Sequence, residues 1–155
     1  MRRSDREIKG RTQIIEVMKK CDVCRLAWND EGYPYILPLN FGMEEKDGQI
    51  VLYFHGASEG RKYELIAKDD RVSFEMDCSH ELMLKKGKEG CSCTMKYESV
   101  IGRGRIELVP EEEKYDALCA LMRHYHKEER AFNQTVMSRT TVFKLTVEQM
   151  SGKTR

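Results

Sequence analysis

The stretch "IVLYFHGASEGRKYELIA", residues 50–67, passes from an unbroken apolar and aromatic run into a turn and then into a different pattern. Residues 50–54 read as a strand, and residues 63–67 read as one or two turns of helix. Between them Gly56 and Gly60 bound a short turn. Strand, glycine-bounded turn and helix start is the layout that aims backbone N–H groups at an anion. A nucleotide-triphosphate loop needs four residues between its glycines, then Lys and Ser/Thr for phosphates and Mg²⁺. Here Ala57, Ser58 and Glu59 separate the glycines, and Arg61-Lys62-Tyr63 follows. Both the count and the chemistry argue against ATP.

Working outward, 155 residues make one ordinary domain, taken here as 1–155. A chain of this size buries roughly 70% of its unfolded surface, enough for a core without staples. Charged residues are 34% and hydrophobic ones 40%, with a net charge of +1. No apolar run approaches the ~20 residues of a membrane span, so no membrane partner is expected. The near-neutral balance gives no electrostatic reason to expect nucleic acid, although Arg2, Arg3, Arg6, Lys9 and Arg11 make the first turn locally basic. "MRRSDREIKGR" lacks the apolar core of a secretion signal, which predicts a reducing cytoplasm and six free thiols.

Ser4 followed by Glu7 fits a capping box, and Ile8, Ile14, Ile15 and Met18 recur near helical spacing, predicting a helix over 5–20 with a weak point at Gly10. Residues 23–28, 33–43, 49–54 and 71–77 are β-type runs, the first three arriving as a meander. Pro34 and Pro38 each remove a ladder donor, which suits an edge or interrupted strand. Residues 78–92 show no period and read as a loop. Residues 94–109 form a long strand bent at Gly102 and Gly104, as at a barrel corner. A helix from Glu111 to about Lys127 and a last strand over 140–147 complete six strands. The order points to a small antiparallel barrel flanked by helices.

"GYPYILPLNFG" (32–42), "LYFHGASEGRK" (52–62), "RVSFEMD" (71–77), "YESVIGRGRI" (97–106) and the Met-Arg-His-Tyr run at 122–125 occur in order along nearly the whole chain. Together they resemble the FMN-binding split-barrel superfamily that includes pyridoxamine 5′-phosphate oxidase, and within it the 5-nitroimidazole-resistance branch. The resemblance implies a mostly β fold with helices, a six-stranded antiparallel split barrel. It also implies a homodimer with one FMN in each of two interface clefts. Related split barrels serve haem and deazaflavin, which are the alternative ligands.

The residues make physical sense for FMN, whose phosphate is close to a dianion and whose ring is a flat apolar plate with a polar rim. For the phosphate, Arg61 offers a planar fork, Lys62 a point charge, Ser58 a hydroxyl, and the Gly56–Gly60 turn, with Ala57, its N–H groups at a helix start. For the ring, the backbone of Leu37, Pro38, Leu39 and Asn40 can meet the rim while Tyr53 supplies contact area; Ser99 is a further contact by resemblance. His55 is the catalytic candidate, able to orient a small-molecule substrate or to give a proton as that substrate accepts a hydride. The activity implied is FMN-dependent reduction of a small electrophile such as a nitro-aromatic. The alternative is a flavin or haem carrier or sensor without turnover. No G-x-G-x-x-G fingerprint is present, so an NAD(P)H donor would dock transiently.

Other residues read more plainly. Cys21-Asp-Val-Cys24 and Cys91-Ser-Cys93 do not have convincing zinc spacing, so no metal site is assigned and the cysteines are read as small core residues. His124 and His126 are two apart, cannot form an i, i+4 metal pair, and read as surface residues. The nine methionines are read as core filler, and Trp28 as packing at a strand end.

Overall fold

A computed structural model of the chain describes residues 3–84, 93–126 and 132–155, with Gln134 described as backbone only. The elements are β1 (Glu7–Ile8), α1 (Arg11–Lys20), β2 (Cys24–Asp30), β3 (Tyr33–Leu39), β4 (Gly42–Lys46), β5 (Gln49–Ala57), α2 (Arg61–Lys68), β6 (Arg71–Leu84), β7 (Cys93–Leu108), α3 (Lys114–Tyr125), α4 (Gln134–Ser138) and β8 (Thr140–Thr154). All strands join one antiparallel sheet in the order β3-β2-β6-β7-β8-β5-β4, with β1 added to β8.

The two edges of this sheet, β3 and β4, are joined by Asn40 and Phe41 alone. Three Cα steps span at most about 11 Å. The sheet must therefore curl until its edges nearly meet without pairing, which is an open or split barrel. The expected class holds, but the strand count among the described residues is eight against six. The run at 33–43 divides at Asn40–Phe41, and β1 adds a short pairing with Lys153 and Gly152. The expected meander fails for the same reason: β3 and β4 are consecutive in the chain yet lie on opposite edges. β3 is an edge strand, as Pro34 and Pro38 require.

Other boundaries shift. Ser4–Arg6 is a single 3-10 turn without a side-chain cap, and α1 starts only at Arg11 after Gly10. The segment read as a loop from residue 78 continues β6 to Leu84, because the strand resumes after an irregularity between Cys78 and Glu81. Strand β8 runs seven residues past the expected end, to Thr154. A 3-10 turn at Glu111–Glu113 precedes α3, which stops at Tyr125.

β5 explains why residues 50–54 are apolar without alternation. Ile50, Leu52 and Phe54 point into the barrel core with Leu26, Trp28, Phe74, Val100 and Phe143, beneath Ile14, Val17 and Met18 of α1. Val51 and Tyr53 point the other way, under Ala117, Leu118 and Ala120 of α3. A strand buried on both faces needs apolar residues at every position. The corner at Gly102 and Gly104 is real: a Cβ at Gly104 would stand 2.0 Å from the Thr146 carbonyl oxygen, and one at Gly102 2.3 Å from the Phe74 ring.

α3 packs on edge strand β4 and on β5, beside the link that joins the two edges. Gly42 lets it approach so closely that a Cβ there would meet the Leu121 amide at 2.4 Å. Tyr125 Oη accepts from the Phe41 amide at 3.0 Å and donates to the Asp22 carbonyl at 2.7 Å. His124 Nε2 donates to the Cys21 carbonyl at 2.7 Å, with its ring 4.3 Å from that of Phe41. His124 is thus a half-buried staple, which corrects its reading as a surface residue; His126 is exposed. Among the described residues no helix is long and apolar enough to cross a membrane.

Candidate functional site

The end of β5 and the start of α2 build a glycine-lined cradle. Gly60 has φ +129°, a backbone conformation open to glycine and rarely to other residues, and its place before α2 leaves the helix start without a side-chain cap. Uncapped N–H groups at a helix start are the donors an anion uses. A Cβ at Gly56 would fall 3.2 Å from the Lys62 ammonium, so the absent side chain leaves room for that cation. Tyr63 pins the turn by donating from Oη to the Ala57 carbonyl at 2.5 Å. The Lys62 Nζ rests 4.3 Å from the centroid of the Tyr63 ring. Among the described residues it has no hydrogen bond and no ion pair. Ser58 is exposed at the rim of the turn.

Arg61 differs from the expected free fork. Its Nη2 and Nε donate to Asp30 at 2.5 and 3.2 Å, its Nη1 donates to Glu64, and Glu31 lies 3.8 Å away. Those hydrogen bonds raise the Arg61 pKa and, from the other side, hold the Asp30 carboxyl below the usual carboxylate range. Asp30 ends β2, so the β2–β3 turn borders the cradle.

His55 faces away from Lys62. Side chains alternate along β5, and while the Gly56 position faces Lys62 and Tyr63, His55 opens into a cavity of about 190 Å³ on the α3 side. Leu118, Leu121 and Met122 of α3, Phe132, Val136 and Met137 around α4, and Asn133 and Thr140 line it. Partial burial lowers the His55 pKa, favouring the neutral imidazole. Among the described residues the ring has no hydrogen-bond partner. This cavity was missed in the sequence, where α4 had no assigned element. The only hint was the apolar face of Leu118, Leu121 and Met122.

The remaining candidates spread out. Tyr53 is buried to 3% exposure under α3, so its ring offers little surface to a ligand in the chain as described. Leu37, Pro38 and Leu39 lie on edge strand β3, opposite Leu26, Arg25 and Cys24, at the end away from Asp30. Asn40 donates from Nδ2 to the Asp22 carbonyl at 3.2 Å. Ser99 sits between Asp77 and Lys153, whereas His55 sits opposite Val142, eleven positions away along β8. One subunit does not bring Ser99 to the cradle. Cys21 ends α1 and Cys24 begins β2, both buried; Cys93 is exposed; Cys91 lies outside the described residues. Among the described residues no group of three or more His, Cys, Asp or Glu could hold a metal ion.

An open antiparallel barrel with an uncapped, glycine-lined helix start at its rim defines the split-barrel class. The chain belongs to the family described as pyridoxamine 5′-phosphate oxidase, which it matches over residues 10–154. It is similar to a candidate 5-nitroimidazole antibiotic resistance protein from Bacteroides thetaiotaomicron, at 33% identity over 96% of this chain and 86% of that one, with a TM-score of 0.80. The fold is shared with the flavocytochrome Anf3 from Azotobacter vinelandii at 18% identity, covering 100% of this chain and 72% of that one, TM-score 0.80. It is also shared with a FAD and heme binding protein from Mycobacterium smegmatis at 17% identity, covering 96% and 73%, TM-score 0.79. No match was found among curated proteins.

Proposed function

We propose that the protein is a homodimeric flavoprotein that holds FMN at the Gly56–Lys62 cradle and reduces a small electrophile, such as a nitro-aromatic, beside His55. The observation that carries this reading is the Lys62 ammonium, without an ion pair among the described residues, at an uncapped helix start in a turn that glycine keeps open. These donors fit a phosphate: a point charge, backbone N–H groups and the Ser58 hydroxyl. Arg61 joins them only by giving up part of its hold on Asp30 and Glu64. The open edge of β3, at Leu37, Pro38, Leu39 and Asn40, is the proposed surface for the ring's polar rim, and Ser99 reaches a site only from the second subunit.

FMN, when bound, supplies two-electron hydride transfer. The chain's own part is to exclude water and to position a substrate. The cavity beside His55 is lined chiefly by apolar side chains, which favours a small, uncharged, flat molecule. His55 is the titratable group on that lining and can donate a hydrogen bond or proton to a substrate oxygen as electrons arrive. The chain is expected to work in the cytoplasm, with NAD(P)H as a transient donor.

The test begins with the purified protein's spectrum, where absorption near 450 nm, a property of the cofactor, favours flavin and a Soret band favours haem. Anaerobic reduction of the bound flavin by NADH and NADPH, followed by a panel of nitro-aromatics, then separates a reductase from a carrier. Flavin that is bound but passes no electrons to any acceptor would leave a binding protein.

A further inference from the structure

Two thiols outside the proposed flavin site converge on one carbonyl. Cys21, buried at the end of α1, donates from Sγ to the Val17 oxygen at 3.3 Å. Cys78 of β6, half-buried, donates to the same oxygen at 3.9 Å. The sulfurs that share this acceptor belong to residues far apart in the chain, so the fold alone brings them together. The two thiols also sense each other: burial first, and then Cys78, push the Cys21 thiol up.

The surroundings of Cys78 differ from those of Cys21. Ser79 Oγ donates to its sulfur at 3.6 Å, and Glu98 Oε2 lies 3.9 Å away. The same Glu98 oxygen accepts from Ser79 at 2.7 Å and from the Lys20 ammonium at 2.9 Å. Ser79 has φ +59°, and the β6–β7 register breaks between Cys78 and Glu81. The ladder is therefore interrupted just after Cys78, the last paired residue before the break, next to the sulfur that would have to move to the ~2 Å separation of a disulfide.

We propose that Cys21 and Cys78 are a redox modification site, joined as a reversible disulfide when a peroxide oxidises the protein. The more exposed Cys78 reacts first, through the thiolate that any thiol must form to attack a peroxide. Its sulfur forms a bond to one peroxide oxygen as the O–O bond breaks, giving a sulfenic acid and, with a proton, one water. Cys21, a thiol at rest, gives up its proton as its sulfur attacks the sulfenic sulfur. The S–S bond forms, the S–O bond breaks, and hydroxide leaves with the Cys21 proton as a second water. Two thiols are oxidised and one peroxide is reduced. The product ties the end of α1, whose Ile14, Val17 and Met18 cover the barrel core, to strand β6.

The experiment treats the reduced full chain with hydrogen peroxide, caps remaining thiols with N-ethylmaleimide after denaturation, and maps peptides by mass spectrometry. The expected product joins the Cys21 and Cys78 peptides, two hydrogens lighter than their sum, with Cys24 capped, and separates on treatment with dithiothreitol. Cys24→Ser should retain the link and Cys78→Ser should abolish it. Overturning results are Cys21 joined to Cys24, Cys78 carried to sulfinic acid with Cys21 capped, or both capped as free thiols while other cysteines oxidise.

Discussion

Asp30 grips Arg61 through two hydrogen bonds, Nη2 to Oδ1 at 2.5 Å and Nε to Oδ2 at 3.2 Å, and this leaves Lys62 as the cation of the turn without an ion pair among the described residues. Two adjacent basic residues that look equivalent in sequence therefore have different roles. An anion arriving at the cradle meets an ammonium that no described carboxylate holds and a guanidinium already bridged to carboxylates.

Lys62→Ala should weaken FMN binding more than Arg61→Ala does. A charged hydrogen bond contributes about 1.5–3 kcal/mol, so Lys62→Ala should cost roughly ten- to hundredfold in Kd. Riboflavin, which lacks the phosphate, should lose much less. Calorimetric titration of both variants with both ligands measures this; equal losses for FMN and riboflavin would assign Lys62 to the fold.

Asp30→Asn should release the Arg61 fork toward the cradle and tighten FMN binding by up to about tenfold, one charged hydrogen bond at a partly screened site. The exposed pair contributes little to stability, so the unfolding midpoint should barely move. Weaker FMN binding in this variant would show that Asp30 positions Arg61 for the ligand.

His55→Ala should keep the flavin, since the cradle donors lie on the other face of β5, but lower turnover by about 10²–10⁴. Because desolvation lowers the His55 pKa and a proton donor acts only while protonated, the wild-type rate should be lost as pH rises through a midpoint below the ordinary ~6.5, and this limb should vanish in the variant. The same shift acts on stability. The folded chain binds this proton less readily than the unfolded one, so stability rises with pH from the lowered pKa up to ~6.5 and is level above it. Rate–pH and urea–pH profiles of both proteins give the answer, and full turnover in the variant would make His55 structural.

Tyr125→Phe removes the acceptor of the Phe41 amide and the donor to Asp22. It should destabilise the protein by about 1–3 kcal/mol, the cost of leaving a part-buried amide unpaired. Urea denaturation measures it; an unchanged midpoint with unchanged m would mean water replaces the hydroxyl.

Light scattering should return the mass of two chains if the proposed dimer forms; Ser99, eleven positions along β8 from the level of His55, could join the proposed site only across such an interface. A monomer that still binds FMN tightly would remove both the dimer and Ser99 from the site.

Much of the fold is legible in local patterns, because they report local physics. The apolar run at 50–54, the prolines of β3 and the glycines at 56, 60, 102 and 104 each restrict backbone or burial where they stand, and the strand, edge, turn and corner they announce are present. Local signals failed where a partner distant in the chain decides. β6 continues past residue 77 because β7 pairs with it again beyond the irregularity. Likewise, β8 reaches Thr154 because β7 extends opposite it.

The sequence by itself determined the class of fold, the glycine-framed turn and the basic and polar side chains available there, since composition and spacing carry those properties. Only the tertiary structure decided which cation is left without an ion pair among the described residues, which side of β5 His55 faces, and that His124 turns inward and, with Tyr125, bonds to the α1–β2 and β3–β4 links. The physical reason is range. Backbone preference and strand alternation act over a few residues, whereas hydrogen bonds and burial join groups such as Asp30 and Arg61 that become neighbours only after the chain has curled into a barrel.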